Sequence, residues 1–146
     1  MTRALTDLSP TMMGFAQKFL DQCNADPVFT AVGANVFLTQ TYRSYVDQNA
    51  DFAKGRDLPG AIITNARGGQ SPHNCTLGDG ITPASEAFDF GVLLSDKECD
   101  WNPQDALWQR AIEIGRGLGL VAGADFHCMK DSPHMQNPAW NLANNK

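Results

Sequence analysis

Met12, Phe15, Ala16, Phe19, Leu20 and Cys23 recur at helical spacing behind Ser9-Pro10, which predicts a helix with one buried face, capped by Ser9 and with proline in its first turn. Asn24 to Pro27 breaks it. Val36 to Tyr42 then has the β-branched and aromatic content of a strand, with Arg43 at its end. Ser44 can cap a second helix running to about Lys54, and Gly55 is a natural stop. From Gly55 to Thr82 the chain is rich in Gly, Pro, Asn, Asp and Ser and reads as loop. A structureless stretch of that length inside a small domain points to a functional site. Ala87 to Leu94 resumes as a strand, with Asp89 charged among apolar neighbours. A third helix is expected from Asn102 as cap and Pro103 as first residue, with Leu107, Trp108, Ala111, Ile114 and Leu118 on its buried side and Gly117 and Gly119 at its end. Leu120 to Ala122 is a short strand, and a turn-rich segment follows. There is no repeat and no linker, so one domain spanning 1–146 is expected.

Composition narrows the function. At 146 residues and 42% apolar content the chain can bury one core. Eleven basic against 16 acidic residues leave a net charge of -5, which argues against a protein that neutralises nucleic-acid phosphates. No apolar run approaches the roughly 20 residues of a membrane-spanning helix, and the first ten residues have no export-signal pattern. Cys23, Cys75, Cys99 and Cys128 form no C-x-x-C pair, so free thiols in a reducing compartment are expected.

The chemistry lies in His73, Asp89 and His134, with Asp131 three residues before the last histidine. Two imidazoles and a carboxylate match the three-ligand set of a catalytic zinc (Zn2+) with one open position. The helical H-E-x-x-H signature is absent, so such a site must be assembled from strands and loops. A lone loop histidine is ordinarily a solvent or hydrogen-bonding residue. A carboxylate inside an apolar strand is harder to explain without a cation, because burying it unpaired is costly. Asp131 reads either as a turn residue or as a base. Cys75 and Cys128 stand close enough in sequence to the histidines to be weighed as thiolate ligands.

A wider set of motifs runs from about 36 to 136: Thr39 to Ser44, Gln48, Gly55-Arg56, Pro59-Gly60, Thr64 to Ala66, Gly69 to Asn74, Ala87 to Phe90 and Lys130 to Gln136. In this order it resembles the zinc D,D- and L,D-peptidases of peptidoglycan, above all the phage L-alanyl-D-glutamate endopeptidases. More distantly it is similar to the D-alanyl-D-alanine carboxypeptidases of vancomycin resistance. The resemblance implies zinc ligands at His73, Asp89 and His134, and Asp131 as general base and acid. It further implies Arg43 as the cation that steadies an oxyanion or holds a substrate carbonyl or carboxylate, with Ser71 and Gln48 on the substrate side. Asp89 stands farther behind His73 than in the compact form of the pattern, which leaves Asp79 as a rival ligand. Asp89 is preferred because it lies in a strand, whereas Asp79 sits between two glycines in a turn. His127 matches no ligand of the family, and Phe126 is expected to pack beneath the site.

The implied fold is α+β, a small mainly antiparallel sheet that carries the metal and is flanked by about three helices. The implied activity is hydrolysis of the L-alanyl-D-glutamate bond in the peptidoglycan stem peptide by a monomeric phage endolysin. It would be held in the host cytoplasm until released to the periplasm or wall, with no membrane insertion. A D-alanyl-D-alanine carboxypeptidase and a non-catalytic wall-binding module are the alternatives.

Overall fold

The computed structural model describes residues 1–140. Four helices, α1 (Pro10–Ala25), α2 (Pro27–Thr30), α3 (Tyr45–Ala53) and α4 (Ala106–Gly117), flank a five-stranded sheet. The strands are β1 (Asn35–Gln40), β2 (Ala87–Leu93), β3 (Cys99–Asp100), β4 (Val121–Ala122) and β5 (His134–Gln136). Every pairing is antiparallel, in the order β1-β2-β5-β4, with β3 also on β2. The architecture is α+β, as the resemblance implied.

α1 starts where its sequence predicts, with the Ser9 hydroxyl accepting the Met12 N–H and Pro10 in the first turn. Its Met12, Ala16, Phe19 and Cys23 are buried. Phe19 packs between Phe88 and Phe90 at ring distances of 5.3 and 5.2 Å, and Phe90 reaches Trp108 of α4 at 4.8 Å. One core therefore joins α1, α4 and one face of the sheet. α3 is capped by Ser44, whose hydroxyl accepts the Asp47 N–H.

Three sequence expectations are corrected. The break after α1 is a single residue, Asp26, which caps α2 through its carboxylate and also pairs with Arg110 of α4 at 2.8 Å. α4 begins at Ala106 rather than Pro103. The Asn102 side chain accepts from Gln104 N–H and donates to Asp105, so residues 102–105 close as a turn ahead of the helix. His134 stands on β5, not in a turn, because residues 134–136 pair with β2 and Met135 and Gln136 pair with β4 as well.

Alternation along β2 separates core from site. Phe88, Phe90 and Val92 face the helices, so Ala87, Asp89 and Gly91 face the other side. Asp89 pairs in register with His134 on β5 and with Gln40 on β1. A row of three polar residues thus crosses the three strands, because directly opposed residues share a face.

Candidate metal and catalytic site

His73 is brought to this row from the long loop. Ser71, Pro72, His73 and Asn74 form a short 3-10 turn, in which the Ser71 hydroxyl accepts the His73 N–H and the Asn74 carboxamide accepts the N–H groups of Ser71 and Gly69. The same carboxamide donates to the Arg43 carbonyl at 2.8 Å. This turn is buried although the segment around it reads as loop.

The three implied ligands converge. His73 Nε2 lies 3.1 Å from His134 Nδ1, and each of these nitrogens lies 3.3 Å from Asp89 Oδ1. Three donors around a tetrahedral zinc, each at about 2.0 Å, would stand about 3.3 Å apart. The opposite ring nitrogens are already engaged. His73 Nδ1 donates to the Thr41 carbonyl at 2.7 Å, and His134 Nε2 donates to Gln136 Oε1 at 2.8 Å. Such outer bonds fix the tautomers and turn the remaining lone pairs inward. Asp89 Oδ1 is buried with no hydrogen-bond partner. Two lone pairs and a carboxylate oxygen facing one another in a buried space need a cation between them. Burial pushes the Asp89 carboxyl up, but His73 and His134 outweigh it and hold it below the usual range. Burial opposes charging of His134, yet Asp89 raises its pKa. The residues present therefore fit a divalent ion with N2O ligation.

Asp131 Oδ2 is 3.8 Å from His134 Nδ1, and the side chain keeps 49% of its surface exposed. Desolvation by its surroundings and the nearby Asp89 charge raise its pKa above the ordinary carboxylate value. It lines, with Arg43, Ser71 and the three ligands, a cleft of about 270 Å³. The Arg43 guanidinium is held by Gln48 Oε1 at 2.9 Å and Gln40 Oε1 at 2.7 Å, with Asp51 at 3.6 Å. Gln48 has no exposed surface, and its amide nitrogen donates to the Ala66 carbonyl at 2.8 Å. It sits behind Arg43 and ties it to the loop that walls the cleft. Phe126 stands against His134 at 5.6 Å between ring centres.

Other candidates lie elsewhere. Asp79 spends its carboxylate on the N–H groups of Ile81 and Thr82 within its own exposed turn. Cys128 is exposed at the cleft, and Cys75 is half-buried with its thiol pushed up to about 11 by burial and the Glu86 charge; neither joins the ligand cluster. His127 is exposed and does not line the cleft.

Four residues have supporting roles that the sequence does not assign, three of them inside the motifs that carry the resemblance. Thr41 and Gln136 orient the two histidines, and Gln40 braces Arg43. Thr41 is itself strapped by the N-terminal segment: its N–H donates to the Thr2 carbonyl at 2.7 Å and its hydroxyl to the Ala4 carbonyl at 2.9 Å. The fourth is Gly123, whose carbonyl accepts the Asp131 N–H at 2.9 Å. A Cβ there would come within 2.7 Å of His134 Cβ and closer still to the Asp131 carbonyl. Gly123→Ala is expected to cost about 1–3 kcal/mol of stability through overpacking and to weaken metal retention, because the backbone that must yield carries both side chains. Thermal melting with and without chelator checks this, and an unchanged response to chelator would refute it.

No family model matches the chain. The peptidoglycan L-alanyl-D-glutamate endopeptidase CwlK of Bacillus subtilis is 36% identical over 117 residues, covering 77% of this chain and 68% of that protein. The crystal structure of the L-Ala D-Glu endopeptidase ChiX of Serratia marcescens aligns with a TM-score of 0.53 at 12% identity, over 97% of this chain and 86% of that one, so the fold is shared. With this relative and this fold beside the converging His73, Asp89 and His134, the chain belongs to the zinc D,D- and L,D-peptidase family of peptidoglycan hydrolases.

Proposed function

We propose that this protein is a zinc-dependent endopeptidase that hydrolyses the L-alanyl-D-glutamate bond of the peptidoglycan stem peptide. The observation that carries the reading is the 3.1 to 3.3 Å triangle of His73 Nε2, His134 Nδ1 and Asp89 Oδ1, opening on a cleft that also holds Asp131 and Arg43. The name of the Bacillus subtilis relative supplies the bond.

His73, Asp89 and His134 would hold the ion. When bound, zinc supplies a Lewis acid that polarises a carbonyl oxygen and makes a nearby water more acidic. Asp131 takes a proton from the attacking water at its carboxylate and passes it to the departing nitrogen, so that the amide and water become a carboxylic acid and an amine. Arg43, fixed by Gln40 and Gln48, presents its guanidinium to the negative charge that develops on the carbonyl oxygen. Ser71 lines the same cleft and keeps its hydroxyl proton free to donate, since its oxygen accepts from His73 N–H.

Digestion of purified cell walls with the zinc-loaded protein, followed by mass spectrometry, tests the proposal. New amino termini at glutamate are expected. Release of D-alanine with the first peptide bond intact would instead make it a carboxypeptidase, and zinc binding without any cleavage would make it a binding module. For its biological setting we propose lysis of a host cell from within, as the resemblance to phage endolysins implies. Expression alone should leave cells intact, and permeabilising the inner membrane should lyse them.

A further inference from the structure

Resting on the endopeptidase reading, we propose that Lys130 is a specificity residue that binds the free carboxylate of the glutamate on the leaving side of the cleaved bond. Glutamate has two carboxyl groups and only one continues the peptide, so an L-alanyl-D-glutamate substrate presents one anion beyond the scissile nitrogen wherever the other carboxyl is not amidated. When the peptide continues through the side-chain carboxyl, that anion is on the carbon bearing the departing nitrogen.

The cleft must meet this charge while holding three carboxylates of its own, Asp51, Asp89 and Asp131. Apart from the histidines, its lining has two cationic side chains, Arg43 and Lys130. Arg43 is already assigned to the carbonyl oxygen of the scissile bond, with its guanidinium fixed by Gln48 and Gln40 and Asp51 3.6 Å away. Lys130 is exposed and makes no ion pair among the described residues, and Asp125, the neighbour that feels its charge, is already paired with Arg116 at 2.6 Å.

Position reinforces the assignment. Lys130 directly precedes Asp131, the group that must protonate the departing nitrogen, and the backbone there is pinned by the Asp131 N–H to Gly123 carbonyl bond. Both side chains line the cleft, which puts the cation within one residue of the proton donor. A flexible four-carbon stem with three donors suits a carboxylate whose exact placement varies with how the peptide continues.

The experiment compares kcat/KM for two muropeptides that differ only in this group, one with a free glutamate carboxylate and one with the carboxylate amidated. The wild type is expected to prefer the free acid. Lys130→Ala should lose about tenfold or more on the free acid and little on the amide, collapsing the preference, because a charge-assisted bond is removed from only one substrate. Lys130→Arg should restore the preference in large part. Lys130→Ala that keeps the full preference overturns the role of Lys130 alone. A wild type that cleaves neither peptide overturns the endopeptidase reading, and this inference with it.

Discussion

Asp131→Asn is expected to retain bound zinc and to lose about 10²–10⁴-fold in cell-wall hydrolysis, the usual contribution of a positioned general base. The substitution is close to isosteric, and it leaves the fold alone. What holds the residue in place is main chain: its N–H donates to Gly123, and its carbonyl accepts the His134 N–H. The carboxylate itself is half-exposed, 3.8 Å from the nearest ligand nitrogen, and has no hydrogen bond that the amide would break. A carboxamide keeps the volume and cannot take a proton. Zinc content by elemental analysis and turbidity loss of purified walls read the two halves of the expectation. Full residual lysis would remove Asp131 from the chemistry, and loss of zinc would make it a ligand.

The other large effect is expected at Asp89. Asp89→Ala should abolish zinc binding, whereas Asp79→Ala should keep it. Metal bound at about 100 times its dissociation constant stabilises a fold by about 2.7 kcal/mol, which for a chain of this size raises Tm by roughly 5–10 °C. Chelator should therefore lower the melting point of the wild type and of Asp79→Ala by that amount, and leave Asp89→Ala unmoved. Unfolding does not confound the result. A melt of the chelated variant beside the chelated wild type separates the two effects, because Asp89 Oδ1 also faces His73 and His134 at 3.3 Å in the metal-free protein and the variant loses that pairing. The reverse pattern would transfer the ligand role to Asp79.

Much of this is legible in the amino-acid sequence. α1 and α3 carried their own caps, Ser9 and Ser44, and the apolar spacing of α1 named its buried face. Asp89 betrayed itself as a charge inside an apolar strand. The parts that were not legible depend on bonds between distant segments. β5 is three residues long, too short for any periodicity, and exists because β2 and β4 both bond to it. The start of α4 moved because Asn102 satisfied its turn locally, and composition does not distinguish an Asx turn from a helix cap. Gln40, Thr41 and Gln136 are ordinary polar residues in a string of letters. Their roles appear only when the sheet register sets Gln40 opposite Asp89 and the loop carries His73 to Thr41.

The strap across Thr41 has a practical side. Residues 2–4 belong to no motif, and a protein engineer would take them as the natural place to trim or to fuse a tag without a spacer. Yet they grip Thr41, whose carbonyl seats the His73 ring. A clipped preparation would carry every ligand in its sequence and still handle metal poorly, so the fault would be sought in the wrong residues.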